Sequence, residues 1–303
     1  MSLEKELYDD YKKKVKRRSF LRGFLISSVL FSILLILFFF FNNNFSHPHI
    51  AHFEIKGVIF DDDERNEILT DLAYNENVKA VILKVDSPGG TVVGAESLYH
   101  NIRKIAEKKP LVVTMGEIAA SGGYIAALAS DFIIARENTL TGSIGVIGNY
   151  PNISELAKKI GITLDTIKSN DAKGGPSPFK TMTKNQVELE KILINRSYEW
   201  FKNLVATRRN MSSNQLEKVV KGNLFTGGMA LDLGLVDDIG GNERAIKYFE
   251  SVDESLVELS IHKWEMDMGS LPFWANFLPV NKLKQQLSYF YVDQGPKLYS
   301  IVR

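Results

Sequence analysis

Met115-Gly-Glu-Ile-Ala-Ala-Ser-Gly-Gly-Tyr124 sets one serine, Ser121, between two alanines and two glycines. Just upstream, Leu111-Val-Val-Thr114 has the short apolar pattern of a buried strand. Just downstream, Tyr124-Ile-Ala-Ala-Leu-Ala129 has the pattern of a helix. Together they predict a strand-to-helix turn with Ser121 at its apex. A hydroxyl there can meet a substrate, and the N–H groups at the helix start can face a developing negative charge. The same residues also fit an N-cap serine followed by packing glycines. Ser121 alone does not decide between the two.

On both sides of this turn, strand and helix patterns alternate. Residues 51–60 read as a strand broken at Gly57, 62–74 as a helix and 80–85 as a short strand. The turn cluster Asp86-Ser-Pro-Gly-Gly90 follows, then a helix over 95–108 with Leu98, Ile102 and Ile105 on one face. Strands are expected at 111–115, 132–135 and 162–167, with a helix over 153–160 stopped by Gly161. This succession predicts a layered α/β domain with right-handed crossovers. From Thr183 the pattern turns mostly helical, over 183–206, 212–221 and 243–250. Phe225-Thr-Gly-Gly228 reads as a turn into a helix over 229–233, and 257–261 as a last strand.

Residues 20–41 carry no charge except Arg22 and are almost wholly apolar from Gly23 on. About 20 such residues cross a hydrocarbon core of about 30 Å. Lys12-Lys-Lys14 and Lys16-Arg-Arg18 precede the run, and uncharged Asn42-Asn-Asn44 follows it. By the positive-inside rule the N-terminus is cytoplasmic and the body lies across the membrane. The run is long for a signal peptide and no small-x-small cleavage site follows, so an uncleaved anchor is expected. The chain then divides into a basic cytoplasmic segment (1–19), the anchor (20–41), a linker (42–50), an α/β domain (51–261) and an aromatic tail (262–303). The tail, with Leu271-Pro-Phe-Trp274 and Tyr289-Phe-Tyr291, is too short to span a membrane but able to graze one or pack on a neighbouring subunit.

The 303 residues hold ample apolar content for a core, and a formal net charge of +1 gives no reason to expect nucleic acid. Absence of cysteine excludes disulfides, thiolate metal sites and a cysteine nucleophile. Among five histidines, His47, His49 and His52 fall in the linker, where a solvated segment is expected rather than a metal site. His100 sits mid-helix and His262 near the last strand. A Ser–His–Asp triad is therefore poorly supported. Lysine can serve as base when a dry setting strips its proton, but composition does not choose one. Oxyanion donors are expected from the N–H of Gly122 and from Gly89 or Gly90.

Five motifs occur in order: Asp86-Ser-Pro-Gly-Gly90; Ala119-Ala-Ser-Gly-Gly-Tyr124; Leu140-Thr-Gly-Ser-Ile-Gly-Val146; Ile167-Lys-Ser169 with Lys173 and Ser177-Pro-Phe-Lys-Thr-Met-Thr183; and Phe225-Thr-Gly227 with Gly234-Leu-Val-Asp237. Over roughly residues 50–249, plus the anchor, the chain resembles the signal peptide peptidase A family of membrane-anchored Ser–Lys proteases. The resemblance implies an α/β, ClpP/crotonase-like spiral of βαβ units with a helical C-terminal extension. It implies Ser121 as nucleophile, Lys173 as general base, Ser143 orienting that lysine, and Gly90 and Gly122 as oxyanion donors. Gly174-Gly-Pro176 after Lys173 departs from the polar pair usual in the family, and leaves Lys168 and Lys180 as alternatives. The resemblance further implies degradation of residual signal peptides and other unfolded segments at a bacterial inner membrane, with the catalytic domain outside. It implies a homo-oligomer whose sites are shared between copies, and it calls for no metal or organic cofactor. Two other readings compete: a silent membrane scaffold that binds misfolded chains, and a crotonase-like acyl-CoA enzyme.

Overall fold

The computed structural model describes residues 3–42, 47–170, 173–265 and 299–301. They fall into two units, residues 1–48 and 49–303. In the first, helix α1 (Leu3–Asn42) runs unbroken through the basic segment and the apolar stretch. Its portion Tyr11–Ile36, 26 residues, is long and apolar enough to cross a bilayer.

The second unit opens with β1 (His49–Lys56), α2 (Asp63–Tyr74), β2 (Val78–Ser87), the short β3 (Gly89–Thr91) and α3 (Val92–Ala106). There follow β4 (Leu111–Ala120), α4 (Gly122–Ala127), β5 (Phe132–Ala135), β6 (Leu140–Gly142) and α5 (Ser154–Lys159). The helical part comprises α6 (Lys184–Arg208), α7 (Ser213–Val219), α8 (Gly227–Asp232) and α9 (Asn242–Val252). Between them lie β7 (Leu224–Thr226) and β8 (Asp238–Ile239), and β9 (Ile261–Trp264) and β10 (Tyr299–Ile301) come last. Starts are set by side-chain caps. Asp62, Thr91, Thr183 and Thr226 each accept a backbone N–H in the first turn, and Gln186 completes a capping box at Thr183.

Among the described residues the main sheet has eight strands in the order β7-β6-β4-β2-β1-β9, with β5 beside β4 and β8 beside β5. Every pair is parallel except β6–β7. A parallel sheet is covered on both faces, so its strands are apolar at nearly every position. The central strands β2 and β4 follow that rule over Ala80–Leu83 and Leu111–Val113, where every residue is apolar and buried. Phe53, Leu83, Val113 and Ile133 point into the larger core with Leu98, Tyr124 and Phe201. Their neighbours Ile50, Ile82, Val112 and Ile134 point the other way, onto Ala245 and Phe249 of α9. Burying a side chain such as Phe249 stabilises by about 1.5–3 kcal/mol.

One edge of β4 is shared. Val112–Thr114 pair with β5, and Ile118–Ala120 pair with β6. The switch coincides with an irregularity opposite β2, where the Asp86 carboxylate accepts the N–H groups of Glu117 and Ile118 at 3.1 and 3.2 Å. The fork opens toward the C-terminal end of β4, the end where open α/β sheets place their sites.

Several expectations need correction. Residues 162–167 form no strand. They have no partner in the sheet, and Ile162 and Ile167 are exposed. Phe225 and Thr226 lie in β7 rather than a turn, and the last strand of the α/β body is 261–264 rather than 257–261. His49 and His52 are not in a solvated linker. His49 is fully buried at the start of β1, accepts the Trp264 indole N–H and stacks on His262. Burial also pushes the His52 pKa down. The 271–279 and 289–291 stretches of the aromatic tail lie outside the described residues, but its first residues form β9 and 299–301 form β10.

Candidate active site

β4 ends at Ala120, and Ser121 follows as the cap of α4 with φ 55° and ψ −117°. Such backbone angles cost an L-residue about 1–3 kcal/mol and cluster at functional sites. Surroundings hold the strain in place: the Ser121 N–H donates to Gly142 O at 2.8 Å and its C=O accepts from Ile125 at 2.9 Å. Ser121 is almost fully buried. Among described non-glycine residues only Ser121, Ser143 and Asn210 have positive φ. Two of the three are thus serines that the family resemblance singles out.

Glycines let the loop after β2 reach the turn. A Cβ on Gly122 would lie 3.1 Å from Gly90 N and 3.2 Å from Gly89 Cα, and one on Gly123 would lie 2.6 Å from Ser87 O. Backbone therefore meets backbone, as a site for a substrate's main chain requires. Gly89 has φ +105°. Its N–H donates to Ser87 Oγ at 3.1 Å, its C=O accepts from Ile59 at 2.9 Å, and Thr91 N–H donates to Ile59 O at 2.9 Å. Residues flanking Gly90 thus spend these groups on Ile59, so the N–H and C=O of Gly90 face the opposite side. Alanine at 90 would place its Cβ 1.7 Å from Ile59 O.

Ser143 sits just beyond β6, at φ 48°, with its N–H donated to Asn223 O at 2.8 Å. Ala120 and Gly142 are register partners. Ser121 and Ser143 therefore leave the C-terminal ends of neighbouring parallel strands. Behind the site, Tyr124 is fully buried and donates its hydroxyl to Leu235 O at 2.8 Å. Burial pushes its pKa far up, so the phenol stays a neutral donor.

Lys173 lies elsewhere on the surface. Its backbone N–H donates to Asn170 Oδ1 at 2.9 Å and its side chain is exposed. It lines an open groove of about 1140 Å³ with Lys168, Ser177, Lys180 and Gln186, and none of Gly90, Ser121, Gly122 or Ser143 lines that groove. Gly174 and Gly175 have φ +96° and +58°, a left-handed turn suited to glycine, and Gln186 Nε2 donates to Gly175 O at 3.1 Å. Within one chain, then, the structure gathers Ser121, Ser143, Gly90 and Gly122 and leaves Lys173 in a separate groove.

Ser87, fully buried, was not singled out by the sequence reading. Its signal was present: a serine two residues before a glycine in a Pro-Gly turn is the pattern of a hydroxyl that caps a following N–H.

A family model described as Peptidase family S49 matches residues 103–255. The chain is 38% identical over 185 residues to a protein of Methanocaldococcus jannaschii provisionally named a protease, covering 61% of this chain and 60% of the other. It thus spans less than two thirds of that relative's length. It is 31% identical over 236 residues to an Enterococcus faecium protein provisionally named signal peptide peptidase SppA, covering 73% of this chain and 68% of the other. A solved structure titled as a membrane-bound stomatin-specific protease mutant aligns with a TM-score of 0.47 and 16% identity, over 72% of this chain and 98% of that one.

Proposed function

The chain belongs to Peptidase family S49, a serine protease family, and from that premise we propose a membrane-anchored endopeptidase that uses a Ser121–Lys173 dyad. The observation that carries this reading is the strained, buried Ser121 whose neighbour Gly122 packs on Gly89–Gly90. The Nζ lone pair of Lys173 takes the Ser121 proton as Oγ attacks a peptide carbonyl. N–H groups of Gly90 and Gly122 hold the oxyanion, each such donor being worth about 3–4 kcal/mol. As the C–N bond breaks, the Lys173 ammonium gives its proton to the leaving amine. Water, losing a proton to Lys173, then attacks the acyl ester, and Ser121 leaves with that proton returned. Ser143 orients the lysine.

The base comes from a second copy of the chain. The exposed position of Lys173 supports this reading, as do the exposed apolar side chains of Leu156, Ile160, Ile162 and Ile192. Closure by the neighbour also supplies the dry setting that a lysine base requires. The helix α1 anchors the assembly with its basic end cytoplasmic and the catalytic unit outside the inner membrane. Extended segments left at the membrane, residual signal peptides among them, are the substrates, because backbone glycines recognise main chain rather than one side chain.

A serine-directed fluorophosphonate tests the assignment on the detergent-solubilised full chain. Mass spectrometry should find one adduct, on Ser121, and none on Ser121→Ala. An unlabelled Ser121 in a preparation that hydrolyses peptide would overturn it. Ser87 offers a separate check as a positioning residue. Ser87→Ala leaves the buried Gly89 N–H unpaired, at a cost of about 1–3 kcal/mol. The Gly90 N–H then loses its fixed direction, so kcat should fall about tenfold or more with KM little changed. Ser87→Thr, which keeps the hydroxyl, should recover most of kcat. Equal losses in both variants would mean that Ser87 serves packing alone.

A further inference from the structure

Residues 57–62 join β1 to α2 and run as a strap along β3. The strap starts where Gly57 N–H donates to Asp86 O at 3.0 Å. Ile59, buried in the core, then carries both backbone bonds to Gly89 and Thr91. The next peptide, Phe60–Asp61, is held at two places. Its carbonyl accepts Arg65 Nη2 at 2.8 Å. Gly94, in the first turn of α3, lies against it: a Cβ there would stand 2.5 Å from Phe60 C and 2.8 Å from Asp61 N. Backbone meets backbone, so the strap cannot come closer to α3, and Arg65 fixes the orientation of the peptide that rests there. Arg65 is only 6% exposed and shares the buried face of α2 with Leu69 and Leu72. Its Nε has no hydrogen-bond partner among the described residues. Burial works against its charge and pulls its pKa down, while Asp62 and Asp61 act the other way. An unbranched apolar side chain would fill this position without the desolvation cost of a guanidinium. What the guanidinium adds is its bond to the Phe60 carbonyl.

From this arrangement we infer that Arg65 is a positioning residue for the oxyanion hole: through Phe60 O and the Ile59 backbone it fixes the direction of the Gly90 N–H, whose role rests on the protease reading. The path is short and made of backbone. Arg65 orders the Phe60–Asp61 peptide, that peptide follows directly on Ile59, and Ile59 grips the residues on either side of Gly90. An oxyanion donor counts for more in the transition state than in the bound substrate, so a donor that loses its direction lowers kcat and spares KM.

Three variants of the detergent-solubilised full chain test this. Arg65→Met keeps a long stem in the same space and removes the donor. Arg65→Lys keeps a cation for the Phe60 carbonyl. Gly94→Ala presses on the same peptide from α3 with Arg65 intact. In Arg65→Met, kcat for peptide hydrolysis should fall about tenfold or more with KM little changed, and fluorophosphonate labelling of Ser121 should slow by a similar factor. Arg65→Lys should recover most of both, and Gly94→Ala should show the same loss in kcat as Arg65→Met. Hydrogen exchange read by mass spectrometry, with Ser121→Ala added to each chain, follows the strap without catalysis. Exchange should quicken in Arg65→Met and Gly94→Ala at residues 57–62 and 89–91 and stay as in the parent over α9. Local quickening in a parent chain that neither labels nor hydrolyses peptide would support Arg65 as the anchor of the strap and remove the protease reading. Parent-like exchange at both segments in Arg65→Met would overturn the inference and leave the protease reading standing. So would equal losses of kcat in Arg65→Met and Arg65→Lys with exchange quickened across the whole chain, which is the mark of packing alone. Gly94→Ala keeps the question decidable even if Arg65→Met does not fold: faster exchange at 57–62 with the kcat of the parent would mean that the strap does not set the donor.

Discussion

Chains carrying Ser121→Ala and chains carrying Lys173→Ala should each be inactive alone and recover peptide hydrolysis when co-expressed. Removing the nucleophile or its base should cost at least about a thousandfold in kcat. Neither side chain carries the fold. Ser121 keeps its place through backbone bonds to Gly142 and Ile125, which alanine retains, and Lys173 is exposed. Both variants should therefore assemble like the parent. If each site joins Ser121 of one copy to Lys173 of the next around a closed ring, random mixing leaves about a quarter of the sites intact. Size-exclusion profiles matching the parent, with hydrolysis near that fraction, is the expected outcome. No recovery despite verified mixed oligomers would place the base in the same chain as Ser121, or in another residue. Lys168 and Lys180, which line the same groove, would then be replaced in turn.

Strand–turn–helix around Ser121 was legible in the sequence because several local signals agree there: apolar β residues, a serine, and small residues that permit close packing. Extents were harder. β2 and β4 run to 87 and 120, past the apolar runs expected at 80–85 and 111–115. Their polar ends are held by long-range partners such as Asp86 at the fork, which no local pattern displays. Residues 162–167 misled in the opposite way. Alternation of apolar and polar residues also occurs in exposed, unpaired chain, and only tertiary context tells the two apart. Its nearness to the apolar run reads His49 as part of a linker, whereas in the fold it is packed against Trp264, 215 residues away in sequence.

The site itself was half legible. Ser121 and Gly122 are adjacent in sequence, and Gly90 follows a turn pattern, so their meeting at one sheet edge follows from parallel topology alone. The hydroxyl of Ser87 as a cap, and the pairing of residues 299–301 with Gly89–Thr91, follow from no periodicity. The first is a two-residue bond inside a turn. The second closes about 200 residues of chain, beyond any window that hydrophobic pattern can read.

Asp237→Ala should be the most destabilising of these substitutions, and should loosen the turn at Ser121 without touching it. The Asp237 carboxylate accepts Arg209 Nη2 at 2.7 Å and Nη1 at 3.0 Å, and also the Ile133 N–H at 2.8 Å. Arg209 Nε further donates to Gly234 O at 2.8 Å. Burial works most strongly against the Arg209 charge, but its hydrogen bonds to Asp237 and the charge interactions with Tyr124 and Asp237 together outweigh burial, so the guanidinium pKa moves up. Removing the carboxylate strands a partly buried guanidinium and a strand N–H together. Loss of one partner of a buried pair costs about 3–5 kcal/mol, and the quarter exposure of Asp237 favours the lower end, about 3 kcal/mol. Replacing both partners, Arg209→Met with Asp237→Leu, removes the stranded charge and should cost less than Asp237→Ala alone. Thermal unfolding of the three chains decides this; a double variant less stable than the single one would mean that the pair contributes net attraction. The consequence for the site runs through Leu235. Its carbonyl holds the Tyr124 hydroxyl, and Leu235 lies between the Gly234 carbonyl and the Asp237 carboxylate that Arg209 grips. Tyr124 belongs to α4, three positions past Ser121. Fluorophosphonate labelling of Ser121 should therefore slow in Asp237→Ala at temperatures where the chain is still folded, and recover in the double variant.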